Sequence, residues 1–244
     1  MSVNSAGPRR TVERRGDRVR RPLGFWSGPV HGLLRHLESV GFPAPRLVNV
    51  TDDYEELSWV EGESGAAARA KVVDEEGLRQ WARFLRSYHD AVRDYRPDPG
   101  AVRSRLRGSG FICHGDPGPW NTVWSGGAIV AFIDFDHAHP GSPQDDIVYA
   151  LEFGAPFRTD ETCIEHMGYP SPPDRRRRIQ VFCEAYGSVM PANLSSLIAE
   201  RQRRDGVLVA DLAQQGVEPQ VTWVRDGYLE TIRQRAEWSA SSGL

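Results

Sequence analysis

The sequence predicts an α+β chain of two unequal lobes: a small sheet with one helix in front, then a larger and mostly helical part. Three observations carry this expectation. Short alternating runs flank a single amphipathic segment before residue 62. A long amphipathic stretch then follows a crossing rich in Gly, Glu and Ser, and beyond one strand-turn-strand unit every patterned segment has helical period.

In order along the chain, Thr11–Arg15 and Arg18–Arg21 read as short strands split by the Gly16-Asp17 turn. Val30–Val40 reads as a helix, because Val30, Leu33, Leu34 and Leu37 fall on one face. Arg46–Thr51 and Glu55–Val60 are two more strands across an Asp52-Asp53 turn. After Glu61-Gly62-Glu63-Ser64-Gly65, a helix from Glu75 to Tyr95 buries Leu78, Trp81, Ala82, Leu85, Tyr88, His89 and Val92, which makes His89 a core-edge histidine. Thr122-Val123-Trp124 and Ala128–Ile133 form a hairpin across Ser125-Gly126-Gly127, a turn supplied with residues that tolerate positive φ. Helical patterns then occupy Asp145–Phe153, Asp174–Tyr186, Leu194–Gln215 and Thr222–Ser239. The expected division is 1–62 for the front lobe and 63–244 for the rear lobe, with no internal repeat.

Composition narrows the class. A chain of 244 residues with 39% hydrophobic content can bury a sizeable core. It holds no run of eighteen apolar residues, so no membrane span is expected. The Met1–Arg10 segment lacks the apolar core of a secretory signal. Cys113, Cys163 and Cys183 are odd in number and far apart, which suits a reduced, cytoplasmic setting with all three packed as small apolar groups. A net charge of −3 gives no electrostatic case for a nucleic-acid partner. The run Arg175–Arg178 opens an amphipathic pattern through Ile179, Phe182, Cys183 and Tyr186, so it reads as a solvated helix face.

Chemistry concentrates in Cys113-His114-Gly115-Asp116-Pro117-Gly118-Pro119-Trp120-Asn121 and in Ile133-Asp134-Phe135-Asp136. Asp116 and Asn121 lie five apart and Asp134 follows thirteen later, on the far side of the hairpin. This is the layout of a kinase catalytic loop, in which one Asp orients the accepting hydroxyl while an Asn and a second Asp hold the metal. Phosphoryl transfer needs alignment and charge neutralisation more than covalent help. Mg²⁺ takes one or two protein carboxylates plus phosphate oxygens and waters, a demand that Asp134 with Asn121 meets. An Asp in a Gly/Pro loop is often only a turn former, but three such side chains in register point to a site. His114 reads as packed scaffold.

At these residues the chain resembles the aminoglycoside phosphotransferase and choline kinase-like family, whose pattern is His-Gly-Asp, four residues, Asn, then a hydrophobic strand ending in Ile-Asp. Gly141 and Asp146-Ile147-Val148 extend the likeness into the next helix. The resemblance implies a two-lobed, protein kinase-like fold with a shortened N-terminal sheet lobe. It implies ATP or GTP as phosphate donor, Mg²⁺ as cofactor and a hydroxyl-bearing small molecule, aminoglycoside-like or amino-alcohol-like, as acceptor. On residues, it implies Asp116 as catalytic base, Asn121 and Asp134 as magnesium ligands, His114 and Asp146 as supports of the loop, and the end of the Leu57-Ser58-Trp59-Val60 strand as the hinge that pairs with the base. Glu61-Gly62-Glu63 resembles the family's hinge exit.

The front lobe departs from that pattern. The only lysine, Lys71, lies between the lobes, so none can grip phosphates in the usual place; a local match assigns the role to Arg20, whose guanidinium can bind phosphate bidentately. Either His31 or Glu38 could be its helical partner. A non-catalytic module on a kinase-like scaffold, or a metal-dependent hydrolase using Asp136, His137 and His139, are the alternatives.

Overall fold

The computed structural model describes residues 12–24, 26–97 and 110–244. The Met1–Arg10 segment and Thr11, the expected start of the first strand, lie outside them. Strands β1 (Glu13–Arg15) and β2 (Arg18–Pro22) turn at Gly16, which takes φ +64°; helix α1 (Ser27–Ser39) follows, then β3 (Leu47–Val50) and β4 (Tyr54–Ser58). The four strands form one antiparallel sheet in the order β1-β2-β4-β3. Register decides which side chains face inward. Val19 pairs with Leu57 and Arg21 with Glu55, so these four share one face, while Arg20 pairs with Glu56 on the other.

The segment expected as a plain linker contains a short helix, α2 (Ala66–Lys71), too brief to show a period in sequence. Helix α3 (Glu75–Ala91) is the spine of the rear lobe. Leu78, Trp81, Ala82, Leu85 and Tyr88 are fully buried along it, each large apolar side chain contributing on the order of 1.5–3 kcal/mol from removed surface. It ends four residues earlier than expected, although Val92 and Tyr95 still pack into the core.

Strand β5 (Phe111–Cys113) leads into the motif; β6 (Thr122–Ser125) and β7 (Ala128–Phe132) are the expected hairpin, with Gly126 and Gly127 both at positive φ. Strand β8 (His139–Gly141) returns to pair with β5, a contact between distant segments that no local pattern announced. Helices α4 (Pro143–Gly154), α5 (Asp160–Met167), α6 (Arg175–Tyr186), α7 (Leu194–Gln214), α8 (Gln220–Arg225) and α9 (Tyr228–Ser241) complete the lobe. The single helix expected over Thr222–Ser239 is interrupted at Gly227, which takes φ +85°.

The arginine run is only partly a solvated face. Arg176 and Arg177 are exposed, but Arg178 is buried and donates to the carbonyls of Gly154 at 2.6 Å, Val73 at 2.6 Å and Val72 at 2.5 Å. It thereby satisfies main-chain acceptors that α4 and the α2–α3 link leave open. The three cysteines are free and buried, and no described helix is long and apolar enough to cross a membrane.

Candidate active site

The motif loop leaves β5 at Cys113 and is held from below by Asp146, in the first turn of α4. Its carboxylate accepts the N–H of His114 at 2.8 Å, the N–H of Gly115 at 3.0 Å and Nε2 of His89 at 3.1 Å. Burial pushes the Asp146 carboxyl up, but the hydrogen bond and charge of His89 and the Gly115 N–H outweigh it, so the group is held below the usual carboxylate range. His89 also lies 2.6 Å from the Tyr186 hydroxyl, so it is a bridge inside the core rather than an edge residue. Gly115 takes φ +80°, and a Cβ there would lie 2.0 Å from the His137 carbonyl; only glycine lets the two loops approach.

Asp116 follows that glycine. One of its carboxylate oxygens accepts the Tyr149 hydroxyl from α4, and its main-chain carbonyl accepts Nδ2 of Asn121 at 3.0 Å. Burial, then the charge of Asp116, raise the Tyr149 hydroxyl well above its ordinary range, so it stays a donor. The bond from Asn121 leaves its Oδ1 without a partner among the described residues. At the open end of the hairpin the Ile133 N–H donates to the Asn121 carbonyl at 2.9 Å, and this return of the chain sets Asp134 beside Asn121.

Asp134 adopts a left-handed backbone, φ +63° and ψ +66°, tolerable for Asp and uncommon for most residues. Its carboxyl is pushed up to about 6, first by the protein crowding around it and then by the charges of Asp136 and Asp116, against Arg21. Its side chain nonetheless keeps 48% of its surface open. A carboxylate crowded by like charges, beside a free amide oxygen, is a donor set of hard oxygens that fits Mg²⁺. Among the described residues no group of three or more His, Cys, Asp or Glu side chains gathers into a closed metal cage. Asp136 is engaged by Arg21 at 2.7 Å, and His139 Nδ1 lies 3.0 Å from the His137 carbonyl.

The guanidinium that reaches this cluster is Arg21, not Arg20. Arg21 contacts Glu55 at 2.6 Å and Asp136 at 2.7 Å, and stands 3.9 Å from Asp134. Arg20, one residue earlier on the strand, points the other way and lies 3.4 Å over the Tyr54 ring. Of the two candidate helical partners, Glu38 is exposed, whereas His31 is buried and binds Glu55. His31 thus meets the arginine through a strand glutamate. Burial raises the Glu55 carboxyl, but the His31 hydrogen bond and the Arg21 charge prevail and lower it.

His114 is buried against Phe135 at 4.5 Å and Phe132 at 5.1 Å, and burial holds its imidazole below the ordinary range, so it packs as a neutral ring. At the front strand's end, the Ser58 N–H donates to the Arg46 carbonyl at 2.8 Å and the Trp59 N–H to the Asp17 carbonyl at 2.7 Å. Val60 makes no main-chain hydrogen bond among the described residues. Beside Asp116 lies a cavity of about 520 Å³, walled by Trp120, Tyr149 and Phe153 and by side chains of α7, α8 and α9.

A sequence profile described as the phosphotransferase enzyme family matches residues 100–178. Over 235 residues, 89% of this chain and 84% of the relative, the sequence is 32% identical to the trifolitoxin immunity protein of Rhizobium leguminosarum bv. trifolii. The chain belongs to the phosphotransferase enzyme family. Solved structures agree on the two-lobed kinase-like fold. The GDP complex of aminoglycoside 2'-phosphotransferase-IIIa superposes with a TM-score of 0.61 at 14% identity, covering 94% of this chain and 88% of that one. An ethanolamine kinase from Plasmodium vivax gives 0.59 at 10% identity, covering 92% and 75%. Membership of the phosphotransferase enzyme family places the protein among small-molecule kinases.

Arg21, Glu55 and Tyr149 also touch this cluster, and no sequence motif marked them. The signal for Arg21 was strand parity: Val19 and Leu57 are apolar and inward, so Arg21 and Glu55, two residues from each, share their face. Tyr149 carries a weaker signal, three residues after Asp146 on the same helix.

Proposed function

We propose that the protein transfers the γ-phosphate of ATP or GTP to a hydroxyl of a small molecule in a Mg²⁺-dependent reaction. The observation that supports it most is the gathering of Asp116, Asn121 and Asp134 in one loop cluster, with Asp134 crowded by like charge. A chain without a cation to bind has no physical use for that crowding, which counts against a non-catalytic module. In this reading residues 1–62 form the nucleotide lobe and 63–244 the catalytic and acceptor lobe. Solved relatives of similar fold carry ADP, GDP and ATP, which supports a nucleotide donor.

Each group has a defined task. Asp116, oriented by Tyr149, receives the acceptor's hydroxyl proton as the oxygen bonds to the γ-phosphorus; the bond to the β,γ-bridging oxygen breaks and the nucleoside diphosphate leaves with its electron pair. Asn121 and Asp134 would hold Mg²⁺, which neutralises phosphate charge when bound. Arg21, fixed by Glu55 and His31, presents a guanidinium where phosphates enter, taking the part assigned from sequence to Arg20. Val60 would pair with the base, with Ser58 and Trp59 shaping the strand end.

The test is nucleoside diphosphate release from Mg-ATP and Mg-GTP against hydroxyl compounds, toxins included because one relative is named a trifolitoxin immunity protein. Asp116→Asn serves as the comparison. Turnover at least a hundredfold above that variant is expected; equal rates in the two proteins remove Asp116 from its role.

A further inference from the structure

The cavity beside Asp116 is not built for a polycation. Its charged walls are Asp116, Glu152 and Asp205 against Arg69, Arg158, Arg201 and Arg235. Two of the three carboxylates are already neutralised. Glu152, 2% exposed, binds Arg158 at 2.7 Å and Arg201 at 2.5 Å and accepts Gln202 at 2.9 Å, while Asp205 binds Arg201 at 2.8 Å. Asp116 is committed to the transferred proton. Two cations remain. Arg69 donates to the His166 carbonyl, and among the described residues Arg235 meets the Tyr228 hydroxyl at 3.4 Å and the Tyr228 ring at 5.5 Å. Neither has a carboxylate within 4.0 Å among the described residues.

Arg235 is half-buried, so its charge is not free to spread into water. It also faces another cation: after burial, which acts against the charge of Arg158, the repulsion of Arg235 works in the same direction against the attraction of Glu152. A half-buried guanidinium pointed at a cavity and repelling its neighbour is a place where an anion gains and an ammonium loses. Elsewhere on the wall of the same cavity Trp120, Phe153 and Trp223 offer aromatic side chains.

We propose that the acceptor is a hydroxy compound carrying a carboxylate, the acid seated at Arg235 with Arg69 in the same cavity, its apolar body among the aromatic side chains and its hydroxyl at Asp116. This rests on the kinase reading above and narrows its acceptor away from polyamines.

The experiment measures binding apart from turnover. The parent protein and the Arg235→Gln and Arg235→Lys variants are titrated by calorimetry with N-benzoylserine, its methyl ester and kanamycin. The parent is expected to bind the acid roughly tenfold more tightly than the ester, one charge-assisted contact's worth of discrimination. Arg235→Gln should abolish that preference and Arg235→Lys should keep much of it, which separates charge recognition from simple loss of packing. The proposal is overturned if the ester or kanamycin binds as tightly as the acid, if the acid does not bind at millimolar concentration, or if Arg235→Gln keeps the preference. Adding Mg-ATP to the bound acid then isolates the other reading. Binding governed by Arg235 without nucleoside diphosphate release leaves the carboxylate site standing and overturns its use as an acceptor site, whereas release with kanamycin alone supports phosphoryl transfer and overturns the carboxylate acceptor.

Discussion

Replacing Glu152 by Gln keeps the shape of a buried side chain and deletes its charge, which isolates the electrostatic worth of the Arg158–Glu152–Arg201 cluster. Glu152 is 2% exposed, and although burial raises its carboxyl, the charges of Arg201 and Arg158 and the hydrogen bonds of Gln202 and Arg201 bring it down to about 2 from an ordinary 4.5. At about 1.4 kcal/mol per tenfold change in proton affinity, that fall corresponds to ~3 kcal/mol of folding stability at neutral pH. Breaking a buried ion pair by removing one partner gives a similar ~3–5 kcal/mol, with Arg158 losing its carboxylate and Arg201 keeping Asp205. The sign with pH follows from a depressed carboxyl: its contribution is complete above about 4.5 and is lost as pH falls through about 2. Urea unfolding of parent and Glu152→Gln at a series of pH values is the assay. The gap should be ~3 kcal/mol near neutrality and less than half of that by about pH 3. A gap below about 1 kcal/mol at neutral pH, or one that does not narrow in acid, refutes the assignment of Glu152 as the charged centre of the cluster.

Three further outcomes are expected. The Asp134 carboxyl, pushed up to about 6, resists ionising in the folded protein, so Asp134→Asn should raise the metal-free Tm above about pH 4, with the gain levelling off past about 6; a loss at neutral pH contradicts this. Mg²⁺-nucleotide affinity of the parent should fall about tenfold per pH unit below 6, because one proton must leave, and a flat profile removes Asp134 from the ligand set. Arg21→Met should weaken nucleotide binding and lower stability by about 1–3 kcal/mol by leaving buried Glu55 with His31 as its remaining partner, while Arg20→Met should change either by little; equal effects would undo the parity assignment.

Much of this molecule is legible in the sequence because its decisive features are local. The Gly126-Gly127 turn and the apolar stripe of α3 are each contained in a short window, and each stands in the structure where the pattern put it. What stayed hidden depends on partners far along the chain. The β5–β8 pairing joins segments separated by the whole hairpin, and α2 is too short for a periodic signal. Arg20 was preferred to Arg21 because a local likeness was read without the strand register, and in a β-strand one residue exchanges inside for outside. The burial of Arg178 was missed for a related reason: four arginines in a row look uniformly solvated, yet the helical turn sends the last of them toward the open carbonyls of neighbouring elements.

The passage from the front sheet to the rear lobe is pinned at both ends. Trp59 is tied to Asp17 at 2.7 Å, and Glu63 exchanges two main-chain bonds of 2.8 Å with Trp124 on the catalytic hairpin. Between these two ties Val60, Glu61 and Gly62 carry no main-chain bond among the described residues. Gly62 sits at φ +147° with the Trp124 carbonyl 2.4 Å from where a Cβ would be, so any side chain there would push the link off the hairpin. Glycine at this one position is what lets the crossing run flush against the rear lobe.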